Sequence, residues 1–234
     1  AMIILCVGFP LDMGAWQVSE LDEPYYVYRA YGDRARLNEE WEQALDYYQR
    51  AIALREIYPE CYFWSAQIYY ERSLAALGQG VGPGNYGSNY LSIANNYIEL
   101  AIEYDEYFEE PYFTLASQWL KFQIIVRLAN AFPQEREALS REAYYTLIYI
   151  GEMYADQGFD YPEAQRIYGL AYFILAEGHC QAANCKETGA GSELNELYEI
   201  ARALYPSVES EYYNQWEPWI SSFVNADIFR GDDL

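Results

Sequence analysis

The chain has 234 residues and a formal net charge of −22 at pH 7, from 36 acidic residues against 14 lysines and arginines. Such an acidic surface argues against nucleic acid as a partner, because phosphates need basic side chains, and against direct binding to anionic membranes. No stretch of the sequence reaches the ~18 consecutive apolar residues of a membrane-spanning helix.

Residues 1–23 are predicted to form an N-terminal apolar arm. Residues 2–9 (MIILCVGF) are a short apolar run with no basic residue before it. One interpretation is that this run packs on the first helices. The other is that it is the remains of a signal or anchor segment, although Leu5 before Cys6 does not fit a lipoprotein signal, which needs a small residue there.

Two helices are predicted to follow the arm. Pro24, after two acidic residues, is typical of a helix start, and Asn38 is predicted to cap the second helix. Gly32 lies within the first helix, where glycine costs about 1 kcal/mol relative to alanine, so it indicates close packing by another helix. The apolar residues of the second helix recur at three- and four-residue steps, as on one helical face: Trp41, Ala44, Leu45, Tyr48, Ala51 and Ile52.

Residues 24–57 resemble a tetratricopeptide repeat (TPR). The family's first-helix pattern W-x2-L-G-x2-Y is matched by Tyr28, Tyr31, Gly32 and Ala35. Its second-helix positions are matched by Trp41, Ala44, Tyr48 and Ala51. Gly32 lies twelve residues before Ala44, which is the spacing of the family.

The resemblance continues along the chain with longer spacings. Pro59 opens the next helix, and Ala66 lies 34 residues after Gly32, which is the TPR period. The glycine-rich stretch 78–87 is predicted to be an irregular loop, after which Ser88 caps a helix. Further helices are predicted to begin at Pro111, after Pro133, at Pro162 and at Ser192. The first-helix markers Gly32, Ala66, Ala116 and Ala171 are 34, 50 and 55 residues apart. Repeats two to four therefore contain 11 to 16 extra residues, expected as longer helices and loops on one edge.

The resemblance implies an all-α fold, a right-handed α-α superhelix of about nine helices in four TPR-like pairs with a C-terminal capping helix. The predicted boundaries are 1–23 for the arm, 24–206 for the repeat domain and 207–234 for the capping helix and tail. Within the repeat domain the units are 24–58, 59–108, 109–158 and 160–206. Pro218 is expected to kink or split the capping helix, predicted at about 208–224.

In the TPR family, ligand contacts come from fixed positions on the first helices, which line an inner groove. Carried over to this chain, these are Tyr26, Arg29, Asp33 and Arg36, then Glu60, Phe63, Gln67 and Tyr70, then Phe113, Ser117 and Leu120, and finally Gln165, Tyr168 and Tyr172. Asp33 and Gln67 replace the asparagines of the carboxylate-binding members, so recognition of a C-terminal carboxylate is not expected. The aromatic and polar groove suits a partner helix or extended peptide; alternatively, several of these rings pack against the extended helices.

Four cysteines, Cys6, Cys61, Cys180 and Cys185, allow three pairings. Cys180 and Cys185 flank a short polar segment, so a local disulfide is sterically feasible; both the bonded and the reduced state stay open. A disulfide would place the chain in an oxidising compartment, periplasmic or cell-surface, with the cytoplasm as the alternative. Cys61, within an apolar helix, is predicted to be a small buried hydrophobe.

The sequence offers little for catalysis, and no cofactor or metal is expected. The single histidine, His179, is predicted at a helix end, and its neighbour Cys180 is poorly placed to converge with it on one ion. We therefore expect a non-catalytic adaptor that binds protein partners, as a subunit of a larger complex. The alternatives are a small-ligand-binding protein of the cell envelope and a glycosidase-like enzyme using a carboxylate pair, with Glu71 or Glu103 as candidates.

Overall fold

The computed structural model describes residues 24–78, 87–105, 111–156, 161–182 and 191–212. These residues form nine α-helices, with a 3-10 turn at Pro133–Glu135. The helices are α1 (Pro24–Leu37), α2 (Trp41–Leu54), α3 (Pro59–Gly78), α4 (Gly87–Asp105), α5 (Pro111–Ala131), α6 (Arg136–Asp156), α7 (Tyr161–Ala182), α8 (Ser192–Leu204) and α9 (Val208–Glu211). None of them is long and apolar enough to cross a membrane. The chain divides into two compact units, Ala1–Glu56 and Ile57–Leu234.

In the first unit, α1 and α2 form an antiparallel hairpin around Gly32. A Cβ atom at Gly32 would lie 2.5 Å from Cε1 of Tyr48, so the tyrosine ring occupies the space that any side chain at residue 32 would need. Tyr48 is fully buried, as are Ala44 and Ala51 on the same face of α2. The predicted close packing at Gly32 is confirmed, and the small residue is what allows the two helices to approach.

In the second unit, each helix from α3 to α8 packs against the next, and α9 packs on α7 and α8. The predicted pairs α3/α4, α5/α6 and α7/α8 are all present. The marker residues Ala66 and Ala171 are fully buried and Ala116 is half-buried. The fold is all-α and built from TPR-like helical hairpins, as predicted. The beginning of the capping helix is α9; its predicted continuation past Tyr212 lies outside the described residues.

The core of the second unit lies between α5, α6 and α7 and extends to α8 and α9. Its largest fully buried members are aromatic and branched aliphatic side chains: Phe122, Ile125, Leu147, Ile150, Ile167 and Phe173. Tyr212 closes the core at the end of α9, with its ring centroid 4.9 Å from that of Phe173. The capping segment is therefore held by apolar contacts with the last hairpin.

The extra residues of the later repeats lengthen their helices. Helices α1 and α2 have 14 residues each, whereas α3 to α7 have 19 to 22. Only Phe132 and the 3-10 turn separate α5 from α6. In this repeat the insertion is therefore helical, and the predicted loop is absent between α5 and α6. Gly78 and Gly87 belong to α3 and α4, and the predicted loop residues 79–86, like the arm 1–23, lie outside the described residues.

The predicted helix caps are wrong. Helix α2 begins at Trp41, because Asn38 completes the end of α1, donating its backbone N–H to the carbonyls of Arg34 and Ala35. Glu39 then reverses the chain with a φ of 61°, a left-handed conformation that is uncommon for residues other than glycine. Helices α4 and α8 begin at Gly87 and Ser192, so Ser88 is already helical and Gly191 is the N-cap of α8.

Candidate protein-binding surfaces

The predicted groove residues of α1 take part in contacts within their own hairpin. Tyr48 of α2 donates its hydroxyl to Oδ1 of Asp33 at 2.7 Å, and Arg29 Nε lies 3.9 Å from Oδ2 of the same carboxylate. Burial and the Asp33 carboxylate raise the pKa of Tyr48 far above its usual value. The guanidinium of Arg55 lies 5.9 Å from the ring centroid of Tyr26. These α1 side chains, together with Arg36, are half-buried.

On α3, two of the predicted groove residues face α5. The ring centroids of Phe63 and Phe113 are 5.4 Å apart. The hydroxyl of Tyr70 accepts a 2.9 Å hydrogen bond from Arg127 Nε, and the guanidinium lies 5.2 Å from the tyrosine ring centroid. Burial raises the pKa of Tyr70, and the positive charge of Arg127 opposes that shift. Phe63 and Tyr70 are each only 8% exposed, so here the α3/α5 contact uses positions that the TPR family uses for ligands.

The predicted positions on α5 and α7 are also close to neighbouring helices. Ser117 is fully buried in α5. Tyr168 fills the space above Gly151 of α6, where a Cβ would lie 2.5 Å from its Cε1 atom. The Tyr172 ring meets Tyr144 edge-on at 5.4 Å, and burial followed by the Tyr172 hydrogen bond raises the pKa of Tyr144 to about 12. Leu120 is buried, whereas Glu60, Gln67, Phe113, Gln165, Tyr168 and Tyr172 keep part of their surface exposed.

The most exposed aromatic side chains described in the second unit were not among the predicted residues. Tyr145 and Tyr149 of α6 are 62% and 45% exposed and lie one helical turn apart. The opposite face of α6 is held by the buried residues Ala143, Leu147 and Ile150. The four-residue spacing of the two tyrosines, out of phase with those buried positions, was a sequence signal that could have identified this surface.

Charge on the described surface is dominated by carboxylates. Several cations lie beside acidic residues: Lys121 Nζ is 3.0 Å from Glu142, and Arg141 Nη2 is 3.2 Å from Glu137. Residues 57–234 contain nine lysines and arginines against 26 acidic residues, so most carboxylates in this unit have no cation to match them. A surface of this kind attracts basic partners.

The described residues contain no group of three His, Cys, Asp or Glu side chains placed to hold a metal ion. His179 lies in the last turn of α7, as predicted, with Nδ1 3.3 Å from Oε1 of Glu137. Cys61 is fully buried, as predicted. Cys185 lies outside the described residues, so its disulfide with Cys180 stays a prediction.

A cavity of about 30 Å³ lies between α5, α6, α7 and α9, close to the volume of one water molecule. Its wall contains no carboxylate; the lining residues are Val126, Ala129, Asn130, Arg136, Leu139, Ser140, Ala143, Ile174, Gly178 and Tyr212. Of the two carboxylates suggested for a glycosidase, Glu71 accepts a hydrogen bond from Gln67 at 2.9 Å and Glu103 is exposed on α4. This cavity supports neither the glycosidase hypothesis nor the small-metabolite hypothesis.

No family model and no curated protein matches the chain. Among solved structures, the chain is similar to the crystal structure of MamA protein, with 15% sequence identity. The match covers 83% of this chain and 96% of that chain, with a TM-score of 0.29. A likeness this weak does not indicate function, which has to be inferred from the side chains described above.

Proposed function

We propose that this chain is a divergent TPR protein that acts as a non-catalytic scaffold and binds a protein partner through the exposed face of α6. The observation that carries the proposal is the pair of exposed tyrosines, Tyr145 and Tyr149, one turn apart on a helix whose other face is anchored in the core. We call these two residues the α6 tyrosine pair.

Tyrosine side chains suit this role for physical reasons. Each offers a large apolar ring with a polar hydroxyl and has only two main rotatable bonds, so little conformational entropy is lost when a partner immobilises it. Tyrosine is accordingly enriched among the residues that dominate binding energy in interfaces. Because the buried side of α6 fixes the helix, the α6 tyrosine pair is already arranged before a partner arrives, which lowers the cost of binding.

The charge of the surroundings indicates the class of partner. Glu152, one turn beyond Tyr149, is exposed, and the second unit as a whole carries a large excess of carboxylates. A partner segment rich in arginine or lysine would be attracted to this surface, and its cations could lie over the tyrosine rings. The proposed partner is therefore a basic helix or extended segment of another protein.

The partly exposed positions carried over from the TPR family belong to the same proposal as a secondary surface. They are Gln67, Phe113, Tyr168 and Tyr172 on the first helices α3, α5 and α7. Their rings contact neighbouring helices, so we expect smaller effects from them than from the α6 tyrosine pair.

Site-specific photo-crosslinking tests the proposal. A photoreactive phenylalanine analogue at Tyr145 would be used in extracts of the source cells, and the captured protein would be purified and its affinity measured directly. The double variant Tyr145→Ala/Tyr149→Ala should weaken that affinity at least tenfold and leave the helical content unchanged. The control double variant Asn89→Ala/Asn96→Ala changes two exposed residues of α4 and should bind like the wild type. Equal loss in both double variants, or no loss in either, would contradict the proposal.

A further inference from the structure

Helix α1 has two faces of different character. The face toward α2 carries the buried residues Tyr25, Gly32 and Ala35. On the opposite side, Val27, Tyr31 and Leu37 are 36%, 49% and 74% exposed. These three residues recur at helical spacing and form a continuous apolar stripe along α1, which we call the α1 stripe. An apolar face of this kind usually packs against another segment.

We propose that the α1 stripe is the docking site for residues 1–23 of the same chain. This segment precedes α1 directly and contains 12 apolar residues, including the uncharged run 2–9. Because the two are covalently joined, the segment is present at a local concentration in the millimolar range, which a separate molecule would seldom reach. The proposal concerns the first unit alone and does not depend on the function proposed for α6.

The charges of the two parts are complementary. Residues 1–23 contain four acidic residues and no lysine or arginine. Helix α1 contains three arginines and one aspartate, and Arg34 is exposed between Tyr31 and Leu37 on the stripe itself. The segment therefore offers apolar side chains for the stripe and carboxylates for its arginine. A highly acidic partner without apolar residues would satisfy only the arginine.

The dimensions also fit. From Val27 to Leu37 the stripe spans ten residues, or about 15 Å at 1.5 Å per residue. Residues 10–23 separate the apolar run from α1, and 14 residues span up to about 45 Å when extended, so the chain can reverse direction and lie along the stripe. The other occupants of such a face, a second copy of the chain or a different protein, are separate outcomes of the test below.

Disulfide trapping in the full chain tests the proposal, because Cys6 lies within the apolar run. Val27→Cys, Tyr31→Cys and Leu37→Cys would be made singly, since each changes an exposed side chain. Gln49→Cys, on the exposed face of α2, is the matched control. Each variant would be oxidised mildly at low protein concentration, and its disulfides mapped by peptide mass spectrometry without reduction.

We expect Cys6 to pair, within one chain, with at least one stripe cysteine ten times faster than with the control cysteine. Adding Arg34→Glu to the fastest variant should slow the pairing several-fold, because it sets like charges against the segment. Disulfides formed between chains would assign the stripe to a second copy. Rates equal to the control, or no pairing with Cys6, would leave the stripe to another protein. Either result overturns the proposal.

Discussion

The α1/α2 and α6/α7 hairpins use the same contact at different lengths. In the first, Gly32 of α1 receives the Tyr48 ring; in the second, Gly151 of α6 receives the Tyr168 ring, and a Cβ at either glycine would lie 2.5 Å from the tyrosine Cε1. The longer hairpin has a second close approach at its other end, where a Cβ at Gly178 would lie 2.2 Å from Ser140 Cβ.

The difference shows how a short helical repeat can be lengthened. Helices of 14 residues stay together with one close point, whereas helices of 21 and 22 residues would diverge beyond a single point because of their crossing angle. The second glycine holds α6 and α7 together at the far end. These helices belong to consecutive predicted repeats, so the extension increases the contact between repeats as well as within them.

The largest expected effect is from Gly178→Ala. The new methyl group would overlap Ser140 Cβ, which is attached to a helix backbone and cannot rotate away. We expect the free energy of unfolding to fall by about 2–3 kcal/mol, despite the roughly 1 kcal/mol gained in helix propensity. Urea unfolding followed by circular dichroism measures this change. Adding Ser140→Gly should recover part of the loss in a double-mutant cycle, and no coupling between the two substitutions would show that the contact is wrong.

Gly32→Ala and Gly151→Ala test whether the two glycine–tyrosine contacts are equivalent. Each new methyl group meets the edge of a ring that can shift slightly, so we expect a loss of about 1–2 kcal/mol in both. Hydrogen exchange resolved by peptide should show the loss in α1 and α2 for the first variant, and in α6 and α7 for the second. If either glycine tolerates alanine without loss, the two hairpins differ in packing as well as in length.

Tyr48→Phe should cost about 1 kcal/mol at pH 7, because it removes the hydrogen bond to Asp33. The pKa of Tyr48 is raised in the folded state, so this residue's contribution is complete below pH 10 and is lost as the pH rises above the unfolded value of about 10. The wild type and Tyr48→Phe should therefore converge in stability between pH 10 and 11, by up to about 1.4 kcal/mol per pH unit. A difference that stays constant from pH 7 to 11 would contradict the proposed role of the hydroxyl.

The smallest effect is expected from Lys121→Met. The Lys121–Glu142 ion pair joins α5 to α6 but is partly exposed to water, so its loss should change the free energy of unfolding by about 0.5 kcal/mol or less. Repeating the urea titration in 0.5 M sodium chloride should reduce the difference further, because salt screens exposed charges. A loss above 1.5 kcal/mol would mean that the methylene stem of Lys121 packs more closely than the hairpin comparison implies.

The sequence predicted the helical hairpins and the marker residues Gly32 and Ala66, because a fixed period and small side chains report helix packing directly. It did not identify Gly151 and Gly178 as contact points, since the insertions break the period that would have aligned them with Gly32. The caps failed because local signals at Asn38 and Ser88 do not reveal where the preceding helix ends.

The candidate site was less predictable than the fold. Family positions such as Phe63 and Tyr70 keep their aromatic character, yet here they are buried by the longer helix α5. The α6 tyrosine pair has no counterpart among the carried-over positions, and only the burial of the opposite face distinguishes it from the many other tyrosines. Exposure depends on which helices are neighbours, and a single sequence does not state that.

Arg127 has a consequence for how α3 and α5 can move. The side chain is only 6% exposed, and an arginine keeps its charge at any physiological pH, so it cannot lose a proton to ease its burial. Sliding α5 along α3 by one turn would take the guanidinium away from the ring and hydroxyl of Tyr70 into apolar surroundings. Partial displacement is therefore more costly than complete separation, and we expect the amides of both helices to exchange with solvent together, in one opening event.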